Sequence, residues 1–357
     1  MSKNCVDVVI DLANQYDVPI MLIASRRQIE SAEFGSGYVN NWSTEEFSKY
    51  VNQKDLKHNV ILCRDHGGPY QNENEQNISF KETMDNAKKS FYVDIESNFK
   101  ILHIDPSNNL TLDISLDKML ERIFELYEYC YEIAKKLKKE IFIEVSIGKE
   151  DGGTSTLSEI KYAVSKIEHF CNQKNLPLPL FLVVRTGNHV METKNVGIYE
   201  DLLCKKISDQ KLKFKEIIDF CNSKKIMIKV HNGDYLSNSA LQSHPEFGFH
   251  AVNIAPEFGV IETKTMLSWL SKNGLEETKE KFLDIAYESQ KWKKWMLKNS
   301  LSEKNDKAII AGHYVLSYDR FKTEILTQIE NKTELEYSLK NEIKTGITRY
   351  LHNFNLI

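Results

Sequence analysis

Three apolar runs of strand length each end in a histidine set among turn-forming residues. They are Ile61-Leu62-Cys63-Arg64-Asp65-His66-Gly67-Gly68-Pro69, Leu182-Val183-Val184-Arg185-Thr186-Gly187-Asn188-His189 and Ile226-Met227-Ile228-Lys229-Val230-His231-Asn232-Gly233-Asp234. Such a run reads as a buried strand that delivers polar side chains to a loop mouth. Neutral imidazoles at neighbouring strand ends can converge on one ion, and three of them with an open position is the layout of a catalytic zinc. His66, His189 and His231 are therefore the expected ligands of a divalent metal, with zinc favoured by the three imidazoles. An ion there would polarise a substrate carbonyl and stabilise an enediolate. Asp65, beside His66, is placed to move a proton. A lone histidine more often hydrogen-bonds within a loop than binds metal; the metal reading rests on three of them at strand exits.

Other residues join this chemistry. Glu144, on the apolar run Ile141 to Val145, can orient a histidine from behind or serve as a further ligand. Glu150 and Asp151 lie on the glycine-rich loop Ser146 to Gly153, where they can close over a substrate and act as acid or base. Arg26, Arg27 and Arg185 at strand exits suit a substrate phosphate or carboxylate, and suit pairing with a neighbouring Glu or Asp equally well. His103 and His250 lie inside apolar runs and are expected to be satisfied core histidines.

Strand ends converge only in a frame that gathers them. Val6, Val9, Ile10 and Ala13 give Asn4 to Tyr16 a helical period, which Asp17-Val18-Pro19 ends before the strand Ile20 to Ala24. Ser43-Thr44-Glu45-Glu46 is a capping-box pattern for a helix reaching about Gln53. Helices are further predicted over Ser79 to Ser97, Ser115 to Lys139, Ser155 to Gln173 and Asp209 to Ser223. Strands are predicted over Ile101 to Ser107, Ile141 to Val145, Leu180 to Arg185, the run into His231, and Phe249 to Pro256. This alternation predicts an α/β fold with a parallel sheet, and at this count a TIM (β/α)8-type barrel, whose chemistry sits at the C-terminal strand ends. No strand precedes the opening helix, so the barrel is expected to be incomplete at its first strand or closed by a segment such as Ala308 to Ala311. Residues 1–272 form the predicted barrel. Residues 273–357 form a helical extension, with helical segments at Glu276 to Lys298, Ser317 to Glu330 and Leu335 to Tyr350.

Composition narrows the function classes. With 357 residues, 41% hydrophobic and 27% charged, the chain can bury a large core. A net charge of -4 and a pI near 6.2 argue against nucleic acid as partner. No apolar run approaches the roughly 18 residues of a membrane span and no signal-peptide pattern opens the sequence, so a cytoplasmic protein without membrane contact is expected. The six cysteines (Cys5, Cys63, Cys130, Cys171, Cys204, Cys221) show no C-x-x-C spacing and read as reduced and buried.

Several motifs resemble one family. Ile23-Ala24-Ser25-Arg26-Arg27-Gln28 with Phe34-Gly35-Ser36-Gly37-Tyr38, Arg64-Asp65-His66-Gly67-Gly68-Pro69, Leu102-His103-Ile104-Asp105-Pro106-Ser107 and Val230-His231-Asn232-Gly233-Asp234-Tyr235 resemble the tagatose-1,6-bisphosphate aldolase non-catalytic subunit family. Its wider relatives are the class II metal-dependent ketose-bisphosphate aldolases, which are TIM barrels. The resemblance covers most of the chain and implies that Asp65 is the acid/base, that His66, His189 and His231 bind zinc, and that Asn253 contacts substrate. Glu144 and Glu150-Asp151-Gly152 resemble the acidic strand and loop of the catalytic enzymes. Asn188-His189 departs from the non-catalytic subunits, which lack this second histidine, and implies a chain that works by itself. Asn232-Gly233-Asp234 and Ala255-Pro256-Glu257 stand where the family has phosphate-binding loops; their carboxylates disfavour a phosphate dianion and imply a donor other than dihydroxyacetone phosphate.

The expected function is thus a class II aldolase forming or cleaving a ketose or ketose phosphate. A ketose or keturonate epimerase on the same scaffold is the alternative, and a non-enzymatic aldolase-stabilising subunit the third. A sugar or sugar phosphate is the expected small molecule, and a homo-dimer or tetramer the expected assembly.

Overall fold

The computed structural model describes residues 1–107, 114–148, 153–204 and 208–357. Helix starts are set by the side chains that the sequence places there. Ser2 caps α1 (Lys3–Tyr16) by accepting from the Cys5 amide. Full capping boxes open α2 (Thr44–Lys54) with Ser43 and Glu46, α3 (Phe80–Glu96) with Ser79 and Glu82, and α5 (Leu157–Lys174) with Thr156 and Glu159. Ser115 caps α4 (Leu116–Leu137). Each cap satisfies amides that the first helical turn leaves without a partner.

Between these helices run β1 (Ile20–Ser25), β2 (Val60–Gly67), β3 (Ile101–Ile104), β4 (Phe142–Ser146) and β5 (Phe181–Val183). A short antiparallel hairpin, β6 (Val190–Met191) with β7 (Lys194–Asn195), and the helices α6 (Tyr199–Cys204) and α7 (Ser208–Ser223) lead to β8 (Met227–Val230). Then come α8 (Asn238–Phe247), β9 (Ala251–Val252) and α9 (Pro256–Lys272). Among the described residues the main sheet has seven parallel strands in the order β1-β2-β3-β4-β5-β8-β9. It is a curled TIM-type half-barrel, as the alternation of elements predicts.

Side chains alternate across this sheet. One face, with Leu22, Leu62, Leu102, Ile143, Leu182 and Ile228, joins the large core under the helices. The other face carries a small apolar cluster of Cys63, Ile101 and Phe181 with Met21, Ile61 and Met227. Toward the C-terminal strand ends the same inner face turns polar at Asp65, His103, Glu144 and Lys229.

β1 and β9 are the two free edges of the sheet. Between them lies a cavity of about 390 Å³, lined by Met21 and Ile23 on one side and Ala251 and Ile254 on the other. Ala308 to Ala311 does not close it: this segment belongs to a helix, α11 (Lys304–Ala311), which packs into a second apolar cluster with α9 and α10 (Glu276–Glu288). Alanine and isoleucine fit a helix as readily as a strand, and tertiary packing decides. The open side is covered by α1 and α12 (Lys332–Asn353). Asp7 pins that pair, accepting from Lys3 at 2.8 Å and Lys54 at 3.1 Å and pairing with Lys340 at 2.8 Å; Tyr50 also donates to it. The predicted helix Glu276 to Lys298 ends at Glu288, and Ser317 to Glu330 holds a π-helical turn, Phe321–Ile325, followed by a 3-10 turn, Leu326–Gln328. No helix among the described residues is long and apolar enough to cross a membrane.

Candidate metal centre

The end of β2 is shaped by its glycines. A Cβ on Gly67 would fall 2.4 Å from the Phe91 ring, and one on Gly68 would fall 2.4 Å from the Asp105 carbonyl oxygen. Lacking them, the chain lets β3 approach closely, and a bulge between Arg64 and Gly67 re-aims the side chains between them. His66 takes a left-handed φ of 44°. Its amide donates to His103 Nδ1 at 3.1 Å, and Gly67 O accepts from the Asp105 amide at 2.7 Å. Arg64 and Asp65 leave on opposite faces: the arginine reaches Asp94 behind the sheet, and the carboxylate faces the inside.

Inside, ligand atoms of Asp65, His103 and His231 all lie within 4.8 Å of one another, and all three residues are buried. His103 Nδ1 stands 3.6 Å from Asp65 and 3.8 Å from Glu144. The rings of His66, His103 and His231 are mutually 5.2 to 5.4 Å apart. His231 Nε2 meets Glu144 Oε1 at 3.2 Å, and Lys229 Nζ donates to Glu144 Oε2 at 2.7 Å. His66 Nδ1 contacts Asp105 at 2.7 Å while its Nε2 stands 3.6 Å from Asp65. Asn253 Nδ2 donates to Asp65 Oδ1 at 3.1 Å.

Electrostatics keep these acids ionised. Burial pushes the Asp65 carboxyl up, but the His66, His103 and His231 rings outweigh it and hold it well below the usual carboxylate range. Burial likewise opposes ionisation of Glu144, and Lys229 and the histidines overcome it, bringing it to about 2. Asp105 is held low against burial by His66. Those depressions draw on imidazolium charge; once the imidazoles are neutral, as metal ligation requires, the carboxylates Asp65, Asp105 and Glu144 face Lys229 as the one ammonium at the site among the described residues, which leaves two negative charges in a buried place. His103 accepts the His66 amide at Nδ1, the nitrogen nearest the Asp65 and Glu144 carboxylates, while its Nε2 is buried without a hydrogen-bond partner. The donor set and its charge fit a divalent cation.

The structure distributes the residues named from sequence unevenly. Asp65, Glu144, His66, His231 and Asn253 come together. His189 lies beyond β5, its amide donating to Asn195 Oδ1 at 3.1 Å, and it is not among the converging ligand atoms. Arg26 is fully buried: it donates to Glu30 at 2.6 Å, Glu75 at 2.8 Å and the Gly68 carbonyl at 3.0 Å. Its guanidinium thus serves the pairing role that strand-exit arginines equally suit. Arg185 is half-buried, 3.9 Å from Glu159. Asn232 takes a left-handed φ of 59°, and its carbonyl accepts from Asn195. Asp234 accepts from the Ala255 and Glu257 amides at 3.0 and 2.9 Å, fixing the start of α9. Burial first, and then Glu257, push it up to about 7 against those backbone bonds. Glu150 and Asp151 lie outside the described residues.

His103 is buried and hydrogen-bonded at Nδ1, as expected of a core histidine, but it also faces Asp65 and Glu144, and Lys229 is a candidate site residue that sequence reading missed. Both sit inside apolar runs, which drew the eye to hydrophobicity. The period-2 phase was the available signal, since Cys63 and Asp65, His103 and Asp105, Glu144 and Ser146, and Lys229 and His231 each share one face near a strand exit. His250 does have a partner, accepting at Nδ1 from the Ile228 amide at 3.0 Å.

Comparison with known proteins places the fold. No protein-family model matches the chain, and no curated protein matches it. Solved structures do. A probable tagatose 6 phosphate kinase from Sinorhizobium meliloti 1021 superposes with TM-score 0.71 at 13% identity, covering 98% of this chain and 97% of that one. A fructose-bisphosphate aldolase from Campylobacter jejuni gives TM-score 0.58 at 12% identity, covering 100% and 88%. A fructuronate-tagaturonate epimerase from Cohnella laeviribosi gives 0.58 at 9% identity, covering 98% and 79%. At these identities the likeness is one of fold, and the chain shares the barrel architecture of sugar-processing proteins.

Proposed function

We propose that this chain is a metal-dependent enzyme of the class II aldolase kind, making or breaking the carbon-carbon bond beside the carbonyl of a ketose or ketose phosphate. The observation that carries the reading is the buried convergence of Asp65, His103 and His231 at the C-terminal ends of parallel strands. These three would hold a divalent cation, with zinc favoured, and when bound it supplies Lewis acidity toward a carbonyl oxygen. Glu144 positions His231 and is itself held by Lys229. Asn253 fixes the Asp65 carboxylate. His66 is the more open imidazole, with a side chain 29% exposed, and Asp105 at Nδ1 fixes its proton there. Its Nε2 is then the basic atom that exchanges a proton with a substrate hydroxyl, a role that sequence reasoning gave to Asp65. On their sequence positions Arg185, Asn232 and Asp234 stay candidates for substrate contact, and Glu150 for acid or base.

Metal content by mass spectrometry, on protein purified without chelator, tests the reading. About one divalent ion per chain is expected, lost in Asp65→Asn and His103→Gln and kept in His66→Gln, whose activity on ketose substrates is lost. Absence of metal after zinc addition would sink the proposal and favour a stabilising subunit. Retention in Asp65→Asn with loss in His189→Ala would restore the assignment read from sequence. Deuterium entering recovered ketose without aldehyde release would assign the same site to epimerisation.

A further inference from the structure

The open seam of the sheet holds a cavity with an unmet polar atom in its wall. This space of about 390 Å³ between β1 and β9 is closed from behind by Val9 of α1 and by Ile347 and Leu351 of α12, and its walls are mostly apolar. Such a volume and such a lining are those of a small-molecule site. Along β1 the cavity runs from Ile20 to Ile23, a length of about 10 Å at the rise of a strand. It is therefore elongated.

The wall at the N-terminal strand ends includes His244, on the last turn of α8, with the Phe249 and Phe354 rings 5.7 and 6.0 Å from its own. His244 is 1% exposed. Its Nδ1 lies 3.0 Å from the Ala240 carbonyl oxygen, one turn back on the same helix. A carbonyl only accepts, so Nδ1 carries the ring proton and Nε2 is left as a bare lone pair. That Nε2 is buried and has no hydrogen-bond partner among the described residues. With Nδ1 turned into its own helix, the far edge of the ring is the one left to meet the cavity. Burial lowers the imidazole to about 4, which keeps it neutral near pH 7.

At the other end of the cavity the polar side chains are already engaged. Gln28 Oε1 accepts from the Ser25 amide at 2.8 Å, and Asn253 Nδ2 donates to Asp65. Between the two ends stand Met21, Ile23, Ala251 and Ile254. The cavity thus asks for a hydrogen-bond donor at one end and hydrocarbon along the rest. An acceptor buried unmet is costly, and a donor that arrives with a ligand recovers the loss.

We propose that the seam cavity binds an aliphatic alcohol, whose hydroxyl donates to His244 Nε2 and whose chain lies between β1 and β9 toward Asn253. A carboxylate does not suit this end, since it would set a charge and further lone pairs against a neutral acceptor. Pro19, His250 and Leu356, all exposed, rim the cavity and give the way in. They lie at the N-terminal side of the sheet, opposite the metal centre, and the site is independent of the proposed function.

The test is calorimetric titration of n-octanol into the full chain stripped of metal by chelator, with octyl methyl ether in parallel. The ether keeps the oxygen and the chain but has no donor. One saturable octanol site per chain is expected, with the ether weaker by about tenfold. His244→Phe should abolish that difference. Ala251→Leu, which fills the seam from β9, should weaken octanol about tenfold or more, with melting temperature as the check on folding. Octanol that never saturates, ether bound as tightly as alcohol by the parent chain, or octanol binding unchanged in Ala251→Leu each overturns the proposal. The comparison of alcohol with ether is made on the parent chain, so it stands even where His244→Phe does not fold. The protein is metal-free throughout, so the fate of the metal site does not enter the result.

Discussion

Two networks of buried charge sit back to back on β2, separated by one residue. Behind the sheet, Arg64 donates to Asp94 at 2.6 and 2.8 Å, and to the Ala24 and Ile29 carbonyls at 2.9 and 2.7 Å. Nearby, Arg26 joins Glu30 and Glu75, and Glu30 further accepts from Ser90 at 2.8 Å and the Ser31 amide at 2.9 Å. Inside the sheet, Asp65, His103, Glu144 and His231 are buried as deeply, but carry excess negative charge and an unpartnered imidazole nitrogen. The first network is closed upon itself and the second is incomplete. A closed network spends its charges on structure, and an incomplete one keeps them for something that comes and goes.

That contrast is open to attack by substitution. The largest effect is expected in the closed network, where Arg64→Met strands the Asp94 carboxylate and should cost about 3–5 kcal/mol in urea melts. A loss below about 1 kcal/mol would mean that the network contributes little to folding. Asp7, closed in the same way by three lysines and Tyr50, should lose about 1–3 kcal/mol on Asp7→Asn. Its carboxyl is held below the unfolded value, against burial, by Lys3, Lys340, Tyr50 and Lys54. The stability it contributes is therefore present above the unfolded carboxylate pKa and disappears as pH falls, a slope that the variant should lack.

Asp234 has the opposite sign. Burial raises it to about 7, so its contribution is fully present below the unfolded pKa near 3.8 and is lost as pH rises toward 7. Asp234→Asn keeps the acceptor oxygen and should remove a slope of at most about 1.4 kcal/mol per pH unit, read from melts between pH 4 and 8. Identical slopes in variant and parent would show that Asp234 titrates normally. The smallest effect is expected at the incomplete network: in chelator, His103→Gln should change stability by less than about 1 kcal/mol. A loss like that of Arg64→Met would erase the distinction between the two networks.

Much of the frame was legible because it is local. The capping box at Ser43, the helix starts at Ser79 and Ser115, and apolar periods switching between strand and helix lie within a few residues of what they control. The site was legible only in part, since its decisive contacts join distant residues. Glu30 and Glu75, which claim Arg26, stand 4 and 49 positions away from it, and no local pattern marks the second. His189 stood out as a strand-exit histidine, yet the short hairpin after β5 takes its amide. His103 and Lys229 were hidden by apolar neighbours whose side chains face the other way.

The open seam between β1 and β9 has a consequence for how the molecule is made. Among the described residues no strand pairing joins the sheet edges, so the ring is drawn shut by α1 against α12, with Asp7 reaching Lys340 across 333 positions of sequence. During synthesis α1 emerges long before α12, the partner it needs. Each intervening βα unit can settle as it appears, but closure has the longest loop to order and waits for α12. Until then the apolar lining of the seam is exposed to whatever is near, and this protein's exposure to chaperones and proteases is set by how soon α12 docks.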